Sequence, residues 1–423
     1  MKPEYFDDLV NLCTELSTQE NKLLPLCAAE NVVSPFSKIP LDTFLQEKYI
    51  MGGVINYQEE SNFVGSKKLY KIYELLTRQC NKLYGCKYAD ARTLSGVNAV
   101  MTLLMSLFSS GDTILISSEE CGGHGSMPKI CHRLGINTIE IPYNYDIYDF
   151  DYEKMNELLR AQKINGILIC LSDIIIMPQL SKIELPEDCV LIFDATQILG
   201  LIAAKSMENP LQWFTDKQKF ILMGATHKTL PGPTCGLIMT NNLELANQFD
   251  TLINPDYLRN SQLHHIFSLI LTLMELEMYG QQYCSLIVNN ANVLAKALVK
   301  YDFNIIKVSP KYTYTHQIFI SMPENDAEKF YNKCLDYGVS INLRNKQLYK
   351  TCGLRIGTQE ISRYGWNEAE MLIIAEILRD IRDNEQFSKD ISQKINMLSS
   401  NKKICFTIEN NYYDMIYTQL HHS

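Results

Sequence analysis

The chain has 423 residues, of which 46% are apolar and 21% charged, a composition typical of a soluble globular protein. At roughly 150 residues per domain, this length predicts about two or three domain-sized units that need no disulfide bonds for stability. The 48 acidic side chains outnumber the 39 Lys and Arg and give a net charge of −9. That charge, without any basic tract, argues against non-specific nucleic-acid binding.

The cysteines and the apolar runs indicate the cellular compartment of the protein. The 13 cysteines include no C-x-x-C pair, so we expect reduced, mostly buried thiols and no metal site. The N-terminus has no apolar signal region. The longest apolar runs, 164–178 and 266–274, fall short of the about 20 residues that a membrane span needs. The sequence therefore predicts a cytoplasmic protein whose partners include neither nucleic acid nor membrane.

Predicted helices and strands alternate along the first two thirds of the chain. Helices are predicted over 69–84, 97–108 and 152–161, and strands over 113–117, 167–171, 190–193, 220–223 and 236–239. The strands are continuous runs of Leu and β-branched residues, which indicate burial on both faces in a mostly parallel sheet.

The last third has a different pattern. An apolar helix over 264–298 leads to a smaller α+β unit, with strands over 318–320 and 339–341 and a helix over 368–382. The tail has two apolar, aromatic segments, 405–408 and 412–417, which we interpret as a packed hairpin.

A lysine follows the predicted buried strand in the segment Phe220–Pro233, which reads FILMGATHKTLPGP. Lysines are seldom placed at the end of a buried strand without a partner. Desolvation at such a position makes an amine nucleophilic enough to form a Schiff base. Lys228 is therefore a candidate nucleophile, and a solvated loop lysine is the alternative interpretation.

A carboxylate, Asp194, ends the predicted strand that begins at Val190. Open α/β sheets bind ligands at the carboxyl ends of their strands. A carboxylate there can keep the pyridine nitrogen of pyridoxal phosphate protonated, so that the cofactor acts as an electron sink. The alternative is an aspartate that caps the next helix.

Three further segments carry weaker signals. Ser95-Gly96 opens a helix whose N-terminal N–H groups suit a phosphate, although any capped helix looks similar. His124 follows two glycines, which fits an imidazole stacked on a planar ring as well as an ordinary turn residue. Arg355 lies in the apolar segment Gly353–Thr358, where its guanidinium suits either bidentate capture of a carboxylate or a structural ion pair.

The order of these segments resembles that of serine hydroxymethyltransferase, a fold-type I pyridoxal phosphate-dependent enzyme. The block Thr226–Pro233 is the most specific match. The other matching segments span nearly the whole chain: Leu26–Ser34, Lys48–Gly52, Gly122–His124, Gly200–Ala204 and Gly353–Thr358. The resemblance implies an α/β fold with a mostly parallel, seven-stranded-type sheet between helices and a smaller C-terminal α+β domain. We expect an N-terminal arm over 1–50, a large cofactor-binding domain over 51–268 and a small domain over 269–423.

The resemblance also implies the cofactor, pyridoxal phosphate, and the residues around it. Lys228 would carry the internal aldimine, Asp194 would lie under the ring nitrogen and His124 would stack on the ring, and these three are the implied catalytic residues. The implied cofactor-binding residues are these three with Ser95, Gly96, Val97, Gln197, His227, Tyr49 and Arg259. The implied substrate-binding residues are Arg355, on the substrate carboxylate, with Tyr49 and Glu30. A homodimer with shared active sites is implied as well, with Tyr49 reaching across.

The departures from the family pattern fall on functional positions. Met51 stands where the family has a glutamate that is its acid/base group and a folate contact, and 58–61 replaces a Tyr-Tyr-Gly-Gly stretch. Ala29 replaces a serine near the substrate carboxylate, and Gln197 replaces a histidine. Arg259 lies where the family has glycines at a phosphate of the neighbouring subunit, and it is a candidate substitute ligand.

These departures predict a folate-independent enzyme that acts at the Cα atom of an amino acid through an external aldimine. Aldol or retro-aldol chemistry, of the aldolase or transaldolase type with an aldehyde partner, is nearest to the family reaction. Glu59, Glu60 or a bound water is the candidate for the missing proton transfer. Two alternatives stay open: transamination, decarboxylation or β-replacement from the same aldimine, or a cofactor-binding protein without catalytic activity.

Overall fold

The computed structural model describes residues 2–55, 64–409 and 411–421. The chain forms two compact units. The small unit consists of Met1–Ala28 and Leu286–Cys405, and the large unit of Ala29–Ser285 and Phe406–Ser423. These units reflect which parts of the chain pack together, and the predicted domain boundaries at residues 50 and 268 stay predictions.

The helices and strands are numbered in chain order. The strands are β1 Leu24–Pro25, β2 Tyr88–Thr93, β3 Thr113–Ile116, β4 Asn137–Glu140, β5 Tyr143–Asn144, β6 Asp149–Phe150, β7 Gly166–Cys170, β8 Val190–Asp194, β9 Phe220–His227, β10 Pro231–Thr240, β11 Gln317–Met322, β12 Val339–Ser340, β13 Asn342–Asn345 and β14 Cys352–Gly357. The α-helices are α1 Phe6–Lys22, α2 Pro35–Lys38, α3 Lys71–Tyr84, α4 Gly96–Leu107, α5 Met127–Arg133, α6 Tyr152–Ala161, α7 Leu199–Ala203, α8 Leu243–Thr251, α9 Leu263–Lys300, α10 Glu324–Asp336, α11 Gln359–Arg363, α12 Glu368–Asp383, α13 Lys389–Ser399 and α14 Asn411–His421.

A seven-stranded sheet lies at the centre of the large unit, in the order β2-β10-β9-β8-β7-β3-β4. The strands from β9 to β4 are parallel, whereas β10 is antiparallel to both β2 and β9. Every residue of β7 and β8 is buried, as expected for strands covered on both faces. The predicted mostly parallel α/β sheet is confirmed.

Local sequence signals place the helix ends beside this sheet. Helix α3 ends at Gly85, whose φ of 68° lies in the left-handed region that glycine adopts without strain. Helix α4 begins after Ser95, whose Oγ accepts a hydrogen bond from the N–H of Asn98 at 3.2 Å. Both boundaries agree with the predicted helices to within two residues, and the second presents a helix N-terminus beside the ends of the strands.

The small unit contains a three-stranded antiparallel sheet in the order β11-β14-β13, and β1 pairs in parallel with β12. Helix α10 packs against β14 and α12 packs against α10. The predicted smaller α+β unit is therefore present. The predicted apolar helix over 264–298 corresponds to α9, which begins in the large unit and ends in the small one.

The C-terminal tail differs from the prediction, because a helix occupies the place of the expected hairpin. Residues 405–408 form no strand, and Tyr413, Ile416 and Leu420 of α14 pack against a cluster that includes Phe36 and Ile39. The spacing of three and four residues matches one face of a helix and cannot put these side chains on one face of a strand.

All 13 cysteines are free thiols, as predicted. Cys13 is exposed, Cys405 is half-buried and the others are buried. In the part of the chain that the structure describes, no helix is long and apolar enough to cross a membrane.

The carboxylate of Glu275 joins three segments of the large unit and generates a stability prediction. Glu275 is 1% exposed, and its oxygens accept hydrogen bonds from Ser34 Oγ at 2.8 Å, from Thr407 Oγ1 and from the N–H of Ile408 at 3.1 Å. Glu275→Gln places an N–H₂ group against these donors, so we expect a loss of about 2–4 kcal/mol of stability. Thermal unfolding, monitored by circular dichroism, measures this loss of stability.

Glu277→Gln is the matched control, because this carboxylate lies on the same helix but pairs with exposed Lys82. Loss of such a surface ion pair costs less than about 1 kcal/mol. Equal losses in the two variants would contradict the role given to Glu275.

Candidate active site

A cavity of about 190 Å³ lies in the large unit where β7 and β8 end. It brings together many of the predicted site residues: Ser95, Gly96, Val97, His124, Asp194, Gln197, His227 and Lys228. The other described residues of the lining are Cys170, Leu171, Ser172, Thr196 and Ala225, which the sequence analysis did not select. The cavity position agrees with the rule that open α/β sheets bind ligands at the carboxyl ends of their strands.

Lys228 follows β9 directly, in the turn that leads into the antiparallel strand β10. The hydroxyl of Thr229 donates to the carbonyl oxygen of Gln197 at 2.9 Å. The N–H of Ala225 donates to Thr196 Oγ1 at 2.7 Å. The lysine turn is therefore tied on both sides to the turn that follows β8.

Asn31 supports the lysine turn from a second direction. Its side-chain amide donates to the carbonyl oxygen of Lys228 and, at 2.8 Å, to the hydroxyl of Tyr283. The Tyr283 ring packs against Phe406, with 5.8 Å between ring centroids. Sequence reasoning placed Asn31 in a matching segment without giving it a role, and its position directly after Glu30 is the only signal for it.

Asp194 is the last residue of β8 and is 8% exposed. Its Oδ1 accepts a hydrogen bond from the N–H of Thr196 at 2.9 Å, and its Oδ2 accepts one from Cys170 Sγ at 3.1 Å. Burial raises the pKa of the Cys170 thiol, and the charge of Asp194 raises that pKa further. The thiol is therefore protonated and acts as the donor.

His124 is held in place through its backbone and its ring. Its N–H donates to the carbonyl oxygen of Cys170 at 2.9 Å, and its Nδ1 accepts from the N–H of Ser126 at 3.2 Å. A Cβ atom on Gly123 would lie 2.4 Å from the carbonyl oxygen of Ser117, so only glycine allows this approach. Because Nδ1 is an acceptor, the proton of the neutral ring lies on Nε2.

The N-terminus of α4 lines one side of the cavity. The first N–H groups of a helix, here those of Gly96 and Val97, have no acceptor within the helix. A Cβ atom on Gly96 would lie 3.0 Å from the Cβ of Ala225, so glycine lets α4 approach β9. A phosphate group is the ligand that such a helix end favours.

His227 adds an uncharged donor or acceptor to the same cavity. Its Nδ1 is buried and has no hydrogen-bond partner among the described residues. Burial lowers the pKa of His227 from 6.5 to about 4, and the charge of Lys228 contributes to this shift. The imidazole is therefore neutral near pH 7, and its orphaned nitrogen fits a polar group of a bound ligand.

Other predicted site residues lie elsewhere in the chain. Tyr49, Arg259 and Glu30 are not among the described residues that line the cavity. Arg355 belongs to the small unit, where it is 2% exposed in β14 and donates from Nε and an Nη to Asn342 Oδ1 at 3.2 and 2.9 Å. Glu59 and Glu60 lie outside the described residues, as does the whole stretch 58–61.

A buried ion network that sequence reasoning missed holds the segment around Met51. Arg92 pairs with Asp90 at 2.6 Å and with Asp250 at 2.8 Å, and all three side chains are at most 3% exposed. Arg92 also donates to the carbonyl oxygen of Gly52 at 2.9 Å. The signal in the sequence is the alternation of Asp90 and Arg92 within β2, which places both on one face of the strand.

A family model for serine hydroxymethyltransferase matches residues 4–378. The chain belongs to the serine hydroxymethyltransferase family. The serine hydroxymethyltransferase of Sulfolobus acidocaldarius is 28% identical over 407 residues, which cover 93% of this chain and 92% of that protein. The enzyme of that name from Thermoplasma volcanium is 29% identical over 405 residues, which cover 91% and 93%.

A solved structure extends the likeness to the fold. The crystal structure of L-threonine transaldolase from Pseudomonas fluorescens, in the internal aldimine state, matches with a TM-score of 0.89 and 21% sequence identity. The match covers 97% of this chain and 96% of that one. The predicted fold-type I architecture and the predicted family are confirmed.

Membership of the serine hydroxymethyltransferase family makes this chain a pyridoxal phosphate-dependent, transferase-type enzyme. The cavity fits the cofactor, because it offers an amine at Lys228, a carboxylate at Asp194 and a helix N-terminus at Gly96. We propose that the amine binds the aldehyde of the cofactor, the carboxylate its pyridine nitrogen and the helix N-terminus its phosphate.

The assignment of Lys228 predicts the behaviour of a variant. Lys228→Ala removes the only atom proposed to bond covalently to the cofactor, so the visible absorbance of the bound cofactor is expected to disappear. Borohydride reduction followed by mass spectrometry of peptides should find no cofactor adduct. The exposed Lys163→Ala is the control and should keep both signals. A visible band retained by Lys228→Ala would refute the assignment.

The neutral state of His227 predicts how the cofactor-free protein responds to acid. Because the folded-state pKa lies below the usual 6.5, the stability that neutral His227 contributes is complete above pH 6.5 and is lost as the pH falls toward 4. The glutamine of His227→Gln cannot titrate, so the free energy of unfolding of this variant should fall less steeply over this interval. The slopes of the two proteins should differ by up to about 1.4 kcal/mol per pH unit. Denaturation curves at several pH values give both slopes, and identical slopes would rule out this contribution.

Proposed function

We propose that this chain catalyses folate-independent chemistry at the Cα atom of an amino acid, with aldol or retro-aldol exchange involving an aldehyde as the reaction. One observation carries the proposal. The cavity keeps Lys228, Asp194 and His124 together, whereas Met51 stands at the position of the family's acid/base glutamate. We further propose a cytoplasmic homodimer with shared active sites.

Each residue of the proposed site has a separate role. Pyridoxal phosphate, when bound, withdraws electrons from the bonds at the Cα atom of an attached amino acid. Asp194 would hold a proton at the pyridine nitrogen, His124 would cover one face of the ring, and the N–H groups of Gly96 and Val97 would bind the phosphate. Lys228 would hold the cofactor through its amine. Arg355 binds the substrate carboxylate with its planar guanidinium.

Met51 limits which reaction is possible. A thioether cannot transfer a proton and cannot hydrogen-bond strongly to the polar edge of a pterin. The Met51 side chain is half-buried, and its sulfur lies 3.9 Å from a guanidinium nitrogen of Arg259. A cleavage that transfers the carbon unit to folate needs the missing group. Release of an aldehyde needs a base that accepts the proton of the substrate hydroxyl, and a bound water, or Glu59 or Glu60 outside the described residues, is the candidate.

Two names among the similar proteins support different reactions. The structural neighbour is an L-threonine transaldolase, which favours aldehyde exchange. The curated relatives are named serine hydroxymethyltransferases, which makes the folate-dependent reaction the competing candidate. Met51 supports aldehyde exchange, because the acid/base carboxylate of the family is absent from its position.

The test compares two reactions of the purified, cofactor-loaded enzyme. L-threonine with a second aldehyde should give acetaldehyde and an exchanged β-hydroxy amino acid. L-serine with tetrahydrofolate should give at least about 100-fold less glycine per active site than the first reaction gives product, because loss of a general acid or base typically costs 10²–10⁴-fold. Chromatography of the amino acids and a coupled assay for acetaldehyde measure the products.

Lys228→Ala is the blank for both reactions, and Met51→Glu is the informative variant. Restoring the carboxylate should raise folate-dependent glycine formation and leave aldehyde exchange within a few-fold. Rapid glycine formation from serine and folate by the unmodified enzyme would overturn the proposal. Slow reaction with every amino acid, despite a normal visible band, would favour a cofactor-binding protein without catalytic activity.

A further inference from the structure

Cys170 contacts both of the residues proposed to face the cofactor ring. Its Sγ is 3.1 Å from Asp194 Oδ2, and its carbonyl oxygen accepts the N–H of His124 at 2.9 Å. Cys170 is 2% exposed and lines the cavity. One residue therefore contacts both the carboxylate proposed for the ring nitrogen and the backbone of the histidine proposed for the ring face.

The position of Cys170 is fixed independently of Asp194. Its N–H donates to Ser117 Oγ at 3.1 Å, and the same hydroxyl donates back to the carbonyl oxygen of Cys170 at 3.2 Å. The register of β7 and β8 pairs Cys170 directly with Asp194. The thiol thus approaches the carboxylate from a rigid strand and not from a mobile loop.

We propose that Cys170 is a positioning residue that orients the Asp194 carboxylate toward the pyridine nitrogen of the cofactor. The N–H of Thr196 fixes Oδ1 and the S–H of Cys170 fixes Oδ2, so the carboxylate plane cannot rotate. Each carboxylate oxygen has a second lone pair that stays available. The inference rests on the role of Asp194 in the proposed function.

A thiol suits this task because it is a weak donor. A hydroxyl or amide donor would draw more charge from the carboxylate and make it a poorer partner for a ring N–H. Burial and the Asp194 charge both keep the thiol protonated, so it remains a donor across the physiological range. The bond therefore orients Asp194 while leaving its negative charge largely available to the cofactor.

The test compares pyridoxal phosphate with 1-deazapyridoxal phosphate, in which a carbon replaces the ring nitrogen. Dissociation constants for both are measured by absorbance titration of cofactor-free protein. In Cys170→Ala, affinity for pyridoxal phosphate should fall about five- to tenfold, as for loss of one hydrogen bond. Affinity for the deaza analogue should stay the same within twofold, because that analogue makes no contact with the carboxylate through a ring N–H.

Three further variants separate the outcomes. Cys170→Ser keeps a donor and should retain most of the preference for pyridoxal phosphate. Cys131→Ala, at a thiol that is buried in α5, tests the effect of a cavity alone and should change neither constant. Asp194→Asn should abolish the preference for pyridoxal phosphate over the analogue.

Each result decides one claim. Equal losses of affinity for both compounds in Cys170→Ala, or no loss for either, would overturn the role of Cys170 and leave that of Asp194 intact. A preference that persists in Asp194→Asn would refute the ring-nitrogen assignment, and the inference about Cys170 would fall with it.

Discussion

The hydrogen bonds that join the turn after β8 to the end of β9 and to the turn after it determine where Lys228 lies. Thr196 Oγ1 accepts from Ala225, and Thr229 donates to the carbonyl oxygen of Gln197. Leaving such buried polar groups unpaired costs about 1–3 kcal/mol each, so neither turn can shift alone. Because of this constraint, the ends of two different strands present Asp194 and Lys228 to a single cavity.

The sequence predicted the parts of this arrangement that follow from local rules. Buried parallel strands are visible as continuous apolar runs, and a charged residue directly after such a run must lie at the carboxyl edge of the sheet. Lys228 and Asp194 were found in this way. The prediction of a hairpin in the C-terminal tail was wrong, because two short apolar segments do not distinguish a strand from a helix. The helical spacing of Ile416 and Leu420 becomes clear only over the full length of α14.

Interactions between distant segments could not be predicted. Arg92 and Asp250 are separated by 158 positions, and nothing in either local sequence indicates the other. The contact between Cys170 and Asp194 depends on the register of β7 against β8. Parallel strands that are apolar throughout fit several registers equally well, so each strand end was visible but their pairing was not.

Two parts of the proposed site are held in place in different ways. The groups proposed to face the cofactor lie at strand ends and helix ends, where packing on both sides fixes them. The segment around Met51 is instead held by side chains that bond its backbone: Arg92 to the carbonyl of Gly52, and Asn254 to the N–H of the same residue at 2.9 Å. Contacts to the backbone are indifferent to the side chain at position 51. On the proposed function, a thioether in place of a carboxylate there would alter proton transfer and leave these backbone contacts in place, so that one scaffold could support a different outcome at the same Cα atom.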